Sequence, residues 1–326
     1  MKIAFLTEMG FEGKIPSNHS NMRTEFAWMH ALDADHRHIH HYKEVRGYDH
    51  IFIIFPKGRV YLSAEGLQAA QGINPVSELL LRELVDELKL NNKKVYNIQE
   101  GPHWWWNDYE MADQIGFYNM MVSCDGIFAH NEHDVKYYKG MFPNVPVHVI
   151  PTLMIDSIVQ DIQPVREEKV IIGGNFARWY GGMESFTVAQ RFEVPIWGQT
   201  SHAMREGEDQ LVNHLPRVMW TDWMKQLSSF KYAVHLMPTI AAGTFSLNCA
   251  YFGIPCIGNE KVDTQRLCHP DLAVDVEDVE KAATLAQRLR DDKDFYEECS
   301  KAAKENYKKY YGEKLFKEKL NSILSI

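Results

Sequence analysis

The residues best suited to chemistry lie in one glycine-rich run. Residues 170–185 read Val-Ile-Ile-Gly-Gly-Asn-Phe-Ala-Arg-Trp-Tyr-Gly-Gly-Met-Glu-Ser. A short β-branched stretch gives way to Gly173, Gly174 and Asn175, with Arg178 three residues on. Glycines let a backbone come close to phosphate oxygens, and a helix that follows offers unpaired N–H groups to an anion. An arginine can fork onto the same oxygens. The chemistry implied is the holding of a phosphorylated ligand beyond the carboxyl end of a strand. The plainer reading is a strand-to-helix turn with a surface arginine, since glycine turns are common in parallel sheets.

Histidines form the other conspicuous group: His36, His38, His40 and His41, then His130 and His133. Their spacing fits no closed metal site and no cysteine stands near them, so no metal is expected. Alternation at 36, 38 and 40 would put one row of imidazoles on the solvent face of a strand.

These residues need elements to position them. With 326 residues, 45% apolar and 24% charged, the chain has the composition of a soluble globular protein and the length of two ordinary domains. No apolar stretch is long enough to span a bilayer. The N-terminal Lys2–Thr7 run reads as a first strand rather than a signal peptide. Five scattered cysteines, an odd number, suit free thiols in a reducing cytoplasm. A net charge of −9 argues against a general nucleic-acid coat, yet leaves room for a local basic groove.

Strand and helix patterns alternate along the chain. After the first strand, residues 21–32 have helical spacing, 50–55 form a strand, 75–90 an amphipathic helix and 94–99 a strand. Residues 109–123, 126–130, 133–140 and 147–150 continue as helix, strand, helix and strand. The polar segment 156–168, with Pro164, reads as a linker. Alternation restarts at 170–173, with helices at 184–191, 222–230 and 245–252 and strands at 194–197, 232–236 and 255–258. A short strand at 272–276 and helices at 278–290, 294–310 and 314–326 close the chain. The expected architecture is α/β: a domain over 1–155, a linker over 156–168, a second domain over 169–310, and a terminal helix over 311–326 that packs back on the first domain.

Two Rossmann-like halves, a glycine loop opening the second, and a late helix followed by Gly253-Ile-Pro-Cys-Ile-Gly258 resemble the GT-B class of nucleotide-sugar glycosyltransferases. Within that class the run Gly173-Gly174-Asn175-Phe176-Ala177-Arg178, then Met183-Glu184-Ser185, then Ile196-Trp197-Gly198-Gln199 is similar to the phage DNA β-glucosyltransferases, which glucosylate 5-hydroxymethylcytosine. The element order matches over most of the chain; the motifs match over a few dozen residues.

The resemblance implies a GT-B fold with a cleft between its domains, a UDP-sugar as co-substrate, no required metal, an inverting transfer to a hydroxyl, and DNA carrying a hydroxymethylated base as acceptor. It also implies a host-cell cytoplasmic protein, monomeric or homodimeric, without a membrane partner. Arg178 takes the place of the arginine that clamps the donor diphosphate, with one residue inserted before it. The family's second arginine falls at Met183 and its ribose-holding carboxylate at Asn248, so both contacts are altered. Gly243, Thr244, Phe245 and Ser246 resemble the loop and helix start that hold the distal phosphate. Ordinary N-capping by Thr244 or Ser246 is the other reading of that run.

On the acceptor side, the family base corresponds to Glu100, which ends the 94–99 strand. His103 is the alternative, since imidazole takes up protons near neutrality. A loop carboxylate in water is the bland account of Glu100. Glu8, and less directly Glu12, follow the first strand. Trp104 and Trp105, with Trp106, either stack on a sugar or an extruded base or pack a domain edge. Lys57 and Arg59 belong to a basic set with Lys14, Arg23, Arg37, Lys43 and Arg46 that tracks a DNA backbone or is simply a solvated face. A glycan, lipid-linked or small-molecule acceptor, or a non-catalytic binding protein for nucleotide sugars, remains the competing reading.

Overall fold

The computed structural model describes residues 1–7, 12–19, 21–54, 78–92, 94–99, 101–104, 111–174, 176, 179–199 and 206–324. Glu8, Lys57, Arg59, Glu100, Trp105, Asn175 and Arg178 lie outside them.

The chain divides into two compact units. The first comprises Met1–Pro16 and Trp28–Pro151, the second Ser17–Ala27 and Thr152–Ile326. The first is built on strands β1 (Ile3–Thr7), β2 (Gly13–Lys14), β3 (Asp35–His38), β4 (His50–Ile54), β5 (Lys94–Gln99), β6 (Gly126–Ala129) and β7 (Val147–Val149). They form a seven-stranded sheet in the order β2-β3-β1-β4-β5-β6-β7, in which only β2 runs antiparallel to its neighbour. Helices α2 (Glu78–Asn91), α3 (Met111–Ser123) and α4 (Glu132–Met141) accompany it, and α1 (Thr24–Ala31) is divided, its residues up to Ala27 grouping with the second unit.

Crossover helices cover both faces of a parallel sheet, so its strands need not alternate. This explains why β1 and β4 are buried at every position. Phe5, Phe52 and Tyr96 stack along one face, and Phe128 meets Tyr96 edge-on. Ala4, Leu6, Ile51, Ile53 and Val95 pack with α2 and α3 on the other.

The second unit has six parallel strands: β8 (Glu167–Ile172), β9 (Ile196–Gln199), β10 (Asn213–Leu215), β11 (Phe230–His235), β12 (Cys256–Asn259) and β13 (Ala273–Val274). Their order is β10-β9-β8-β11-β12-β13, the doubly wound arrangement whose direction of winding reverses between the first and fourth strands. Helices α5 (Asp156–Val159), α6 (Gly182–Ala189), α7 (Glu208–Leu211), α8 (Trp220–Ser228), α9 (Thr244–Phe252), α10 (Asp263–Cys268), α11 (Val279–Asp291), α12 (Lys293–Tyr310) and α13 (Glu313–Leu324) complete it. Val170, Ile172, Tyr232, Val234 and Ile257 meet Val188, Ala282, Ala286, Leu289 and Phe295 in its core. Asp278 and Asp292 cap α11 and α12 by accepting from the N–H groups of Lys281 and Phe295.

Three local expectations change. His36 and His38 are buried, not solvated: alternation puts them on one face of β3, and that face is covered. The Nε2 of His36 stands 2.7 Å from Thr7 Oγ1 on β1. The expected linker contains a short helix, α5, and its last residues already belong to β8. The C-terminal helix groups with the second unit, where Glu313 accepts from Ser157. All five cysteines are free and buried. Among the described residues no helix is long and apolar enough to cross a membrane.

Candidate functional site

The second unit gathers its candidate residues where the winding of its sheet reverses. Strands β8 and β11 are neighbours, with Val234 opposite Ile172. Each ends in a turn leading to a helix, so the two turns face each other across the carboxyl edge, where ligands of doubly wound sheets bind. The Gly173 N–H donates to the Val234 carbonyl at 2.8 Å, which ties the glycine turn to the neighbouring strand. A Cβ at Gly173 would stand 2.6 Å from the His235 ring and 2.9 Å from the Phe245 ring. Gly174 is left-handed (φ +77°) and lies against Tyr180.

Gly181 heads α6 with φ +63°, and a Cβ there would be 1.8 Å from the Leu236 carbonyl oxygen. Only glycine lets α6 approach the end of β11 so closely. Ser185 on α6 holds this approach by accepting from the Leu236 N–H at 2.9 Å.

The second turn starts α9. Gly243 is left-handed at the N-cap, and no side chain caps this helix. N-capping by Thr244 or Ser246 is therefore not what these residues do. The Ser246 hydroxyl is buried; it donates to the Gly243 carbonyl at 3.1 Å and lies 2.7 Å from Thr264 Oγ1. Thr264 donates to the same carbonyl at 2.9 Å. Two hydroxyls thus fix the turn from behind and leave the first N–H groups of α9 to whatever lies before the helix. Thr244 and Phe245 are half-buried beside them, and Asn248 is buried one turn further. His269 donates from Nε2 to the Ser246 carbonyl at 3.0 Å, and burial pushes its pKa down to about 4.

His235 completes the group, and the expected site did not include it. It is the last residue of β11 and meets Phe245 edge-on, with ring centroids 5.1 Å apart. Its Nε2 is buried and has no hydrogen-bond partner among the described residues. Burial pushes the imidazole down to about 4, so it is neutral at physiological pH. The one signal in the chain is a polar residue ending an otherwise apolar strand, just before Leu236-Met-Pro238.

In the first unit His103 follows β5, again at the carboxyl edge. Its Nδ1 donates to Asp134 Oδ1 at 2.8 Å, and its ring stacks on Tyr137 at 4.2 Å. Asp134 is buried at the start of α4. Asn131 caps that helix by accepting from the Asp134 N–H at 2.8 Å and donates from Nδ2 to Asp134 Oδ2 at 2.9 Å. The carboxylate holds one ring nitrogen and leaves Nε2 as the acceptor, the arrangement of an oriented general base. Asp134 gave no sign in the sequence, because a separation of 31 positions hides the pair.

His103, His133 and Asp134 bring potential ligand atoms within 4.8 Å of one another. Both oxygens of Asp134 are already bonded within the chain. Trp104 is half-buried, so it is neither a core residue nor a free platform. Glu12 accepts from the His38 N–H and from His41 Nδ1, at 2.9 and 2.8 Å, and is committed to the β3 region.

Known structures share this architecture over most or all of the chain. An alpha-glucosyltransferase in complex with UDP and a 13-mer DNA containing a HMU base matches at TM-score 0.68 and 11% identity, over 100% of both chains. Sucrose-phosphate synthase from Thermosynechococcus elongatus matches at 0.62 and 13%, over 99% of this chain and 98% of that one. S. aureus TarM, bound to fondaparinux, alpha-GlcNAc-glycerol and UDP, matches at 0.59 and 10%, over 88% of this chain and 58% of that one. These likenesses establish the GT-B fold. By sequence, no family model and no curated protein matches the chain.

Proposed function

We propose that the chain is a glycosyltransferase that moves a sugar from a UDP-sugar to a hydroxyl, and that its acceptor is a hydroxymethylated base in DNA. The observation that carries this reading is the uncapped start of α9 facing the Gly173–Gly174 turn. Backbone N–H groups on both turns suit a diphosphate, and they favour the leaving group as charge develops on it. Arg178 adds a cation to the same loop. Gly243, Thr244 and Phe245 serve through their backbone, Asn248 through its amide to a ribose hydroxyl, and Ser246 by fixing the turn.

In the first unit Glu100 or His103 takes the acceptor proton as the hydroxyl oxygen bonds to the anomeric carbon and the bond to the diphosphate breaks. Glu8, Trp104, Trp105, Lys57 and Arg59 are the acceptor-side set. Glu100→Gln should abolish turnover and spare UDP binding; unchanged turnover would leave His103 as the base.

The DNA acceptor draws support from the end-to-end match to a DNA-bound neighbour. TarM, complexed with a glycosylated glycerol, is covered over little more than half its length. The deciding experiment is nucleoside mass spectrometry after incubating DNA that carries hydroxymethylcytosine or hydroxymethyluracil, and unmodified DNA, with a panel of UDP-sugars. A gain of one sugar on modified DNA alone is expected. No gain despite UDP binding would move the acceptor to glycans or small molecules. Binding of neither UDP nor a UDP-sugar would end the glycosyltransferase reading.

A second stereochemical reading has specific support, since the DNA-bound neighbour is described as an alpha-glucosyltransferase. UDP-glucose is itself α-linked, so an α product means retention. The anomeric proton coupling of the isolated product separates this from inversion.

A further inference from the structure

We propose that His235 contacts the diphosphate of the donor, giving that site a hydrogen-bonding group beyond its backbone amides and arginine. The inference rests on the donor reading above and names a contact within it. It begins from an anomaly: the ring Nε2 is buried and bonds to nothing among the described residues. Buried polar atoms without partners are uncommon in native proteins and call for an explanation.

Position supplies one. His235 ends β11 at the point where the sheet reverses its winding. The ring lies against Gly173 on one side, where a side chain would have no room, and meets the Phe245 ring edge-on. The two elements offering amides to an anion, the glycine turn and the start of α9, therefore both border this imidazole.

The ring is also neutral at physiological pH, because burial disfavours its charged form. It therefore brings no charge of its own to the site and can still donate one hydrogen bond. A packing role alone would need only the ring's shape, which phenylalanine supplies. A contact with the diphosphate needs nitrogen.

The test compares wild type, His235→Phe and His235→Asn by calorimetric titration with UDP, UMP and uridine, alongside melting temperatures. The Phe variant should keep the melting temperature within a few degrees and weaken UDP binding about tenfold or more. Uridine binding should change less than twofold. Asn, which retains a donor and an acceptor, should recover part of the UDP affinity and serves as the working variant if Phe does not fold. UDP binding unchanged in a folded Phe variant would overturn the role of His235 while leaving the donor reading intact. Equal losses for uridine and UDP would overturn the diphosphate assignment. A wild-type chain that binds neither UDP nor UMP would remove the donor reading and this inference together.

Discussion

At the scale of single residues, the His103–Asp134 pair is the sharpest feature of the first unit. If His103 acts as a base, the buried carboxylate sets which nitrogen is available. Asp134→Asn should then lower kcat by about 10- to 100-fold, the usual cost of losing an orienting partner. The apparent KM for the UDP-sugar should hardly move, which initial-rate kinetics at varied donor concentration would show. A change confined to KM would assign Asp134 to structure alone. The same bonds bear on metals. Both Asp134 oxygens are already taken, by His103 and Asn131. Sugar transfer should therefore persist after dialysis against EDTA; activity lost in chelator and restored by added zinc would reverse that view of the cluster.

At the scale of elements, glycines decide how closely helices approach the sheet. At Gly181 the obstacle to a side chain is backbone, since the Cβ would fall 1.8 Å from the Leu236 carbonyl oxygen. Gly181→Ala should cost on the order of 2–4 kcal/mol, adding left-handed strain to overpacking. Gly207 is also left-handed (φ +83°), but a Cβ there would meet nothing within 4 Å among the described residues. Gly207→Ala should cost about 1–2 kcal/mol, the conformational term alone. Urea midpoints of the two variants test the difference, and equal losses would mean that contact at Gly181 is relieved by movement.

The pattern of what was legible follows the same physics. The strand-turn-helix at 170–189 could be read because β-branched residues, glycines and a helical run occur in order. The helix over 244–252 and the strand over 256–259 were legible for the same reason. The buried place of His36 and His38 was not, because alternation gives the two faces of a strand but not which of them is covered. β10 and α10 are short and rich in polar residues, and their packing rather than their composition makes them regular. His235 and Asp134 escaped notice because their significance lies in neighbours far away in the chain.

At the scale of the whole molecule, two buried imidazoles tie stability to pH. His235 and His269 are both pushed to about 4 by burial, below the ordinary value of 6.5. As pH falls, the unfolded chain takes up these protons first. Their contribution is fully present above about pH 6.5 and is lost as pH drops toward about 4, at on the order of 1 kcal/mol per pH unit for each group. Urea midpoints should fall between pH 7 and pH 5, and a folded His269→Asn variant should show a shallower fall. An identical slope would assign the pH dependence to other groups.

The buried thiols have a separate use. Cys124 belongs to the first unit, and Cys249, Cys256, Cys268 and Cys299 to the second, all shielded from solvent. An alkylating reagent can reach them only when the surrounding structure opens, so the native sequence carries its own clocks for both halves. Pulsed labelling followed by peptide mass spectrometry would time each half without an introduced probe. It would also show whether a nucleotide slows the opening of the half that holds it or of the whole chain.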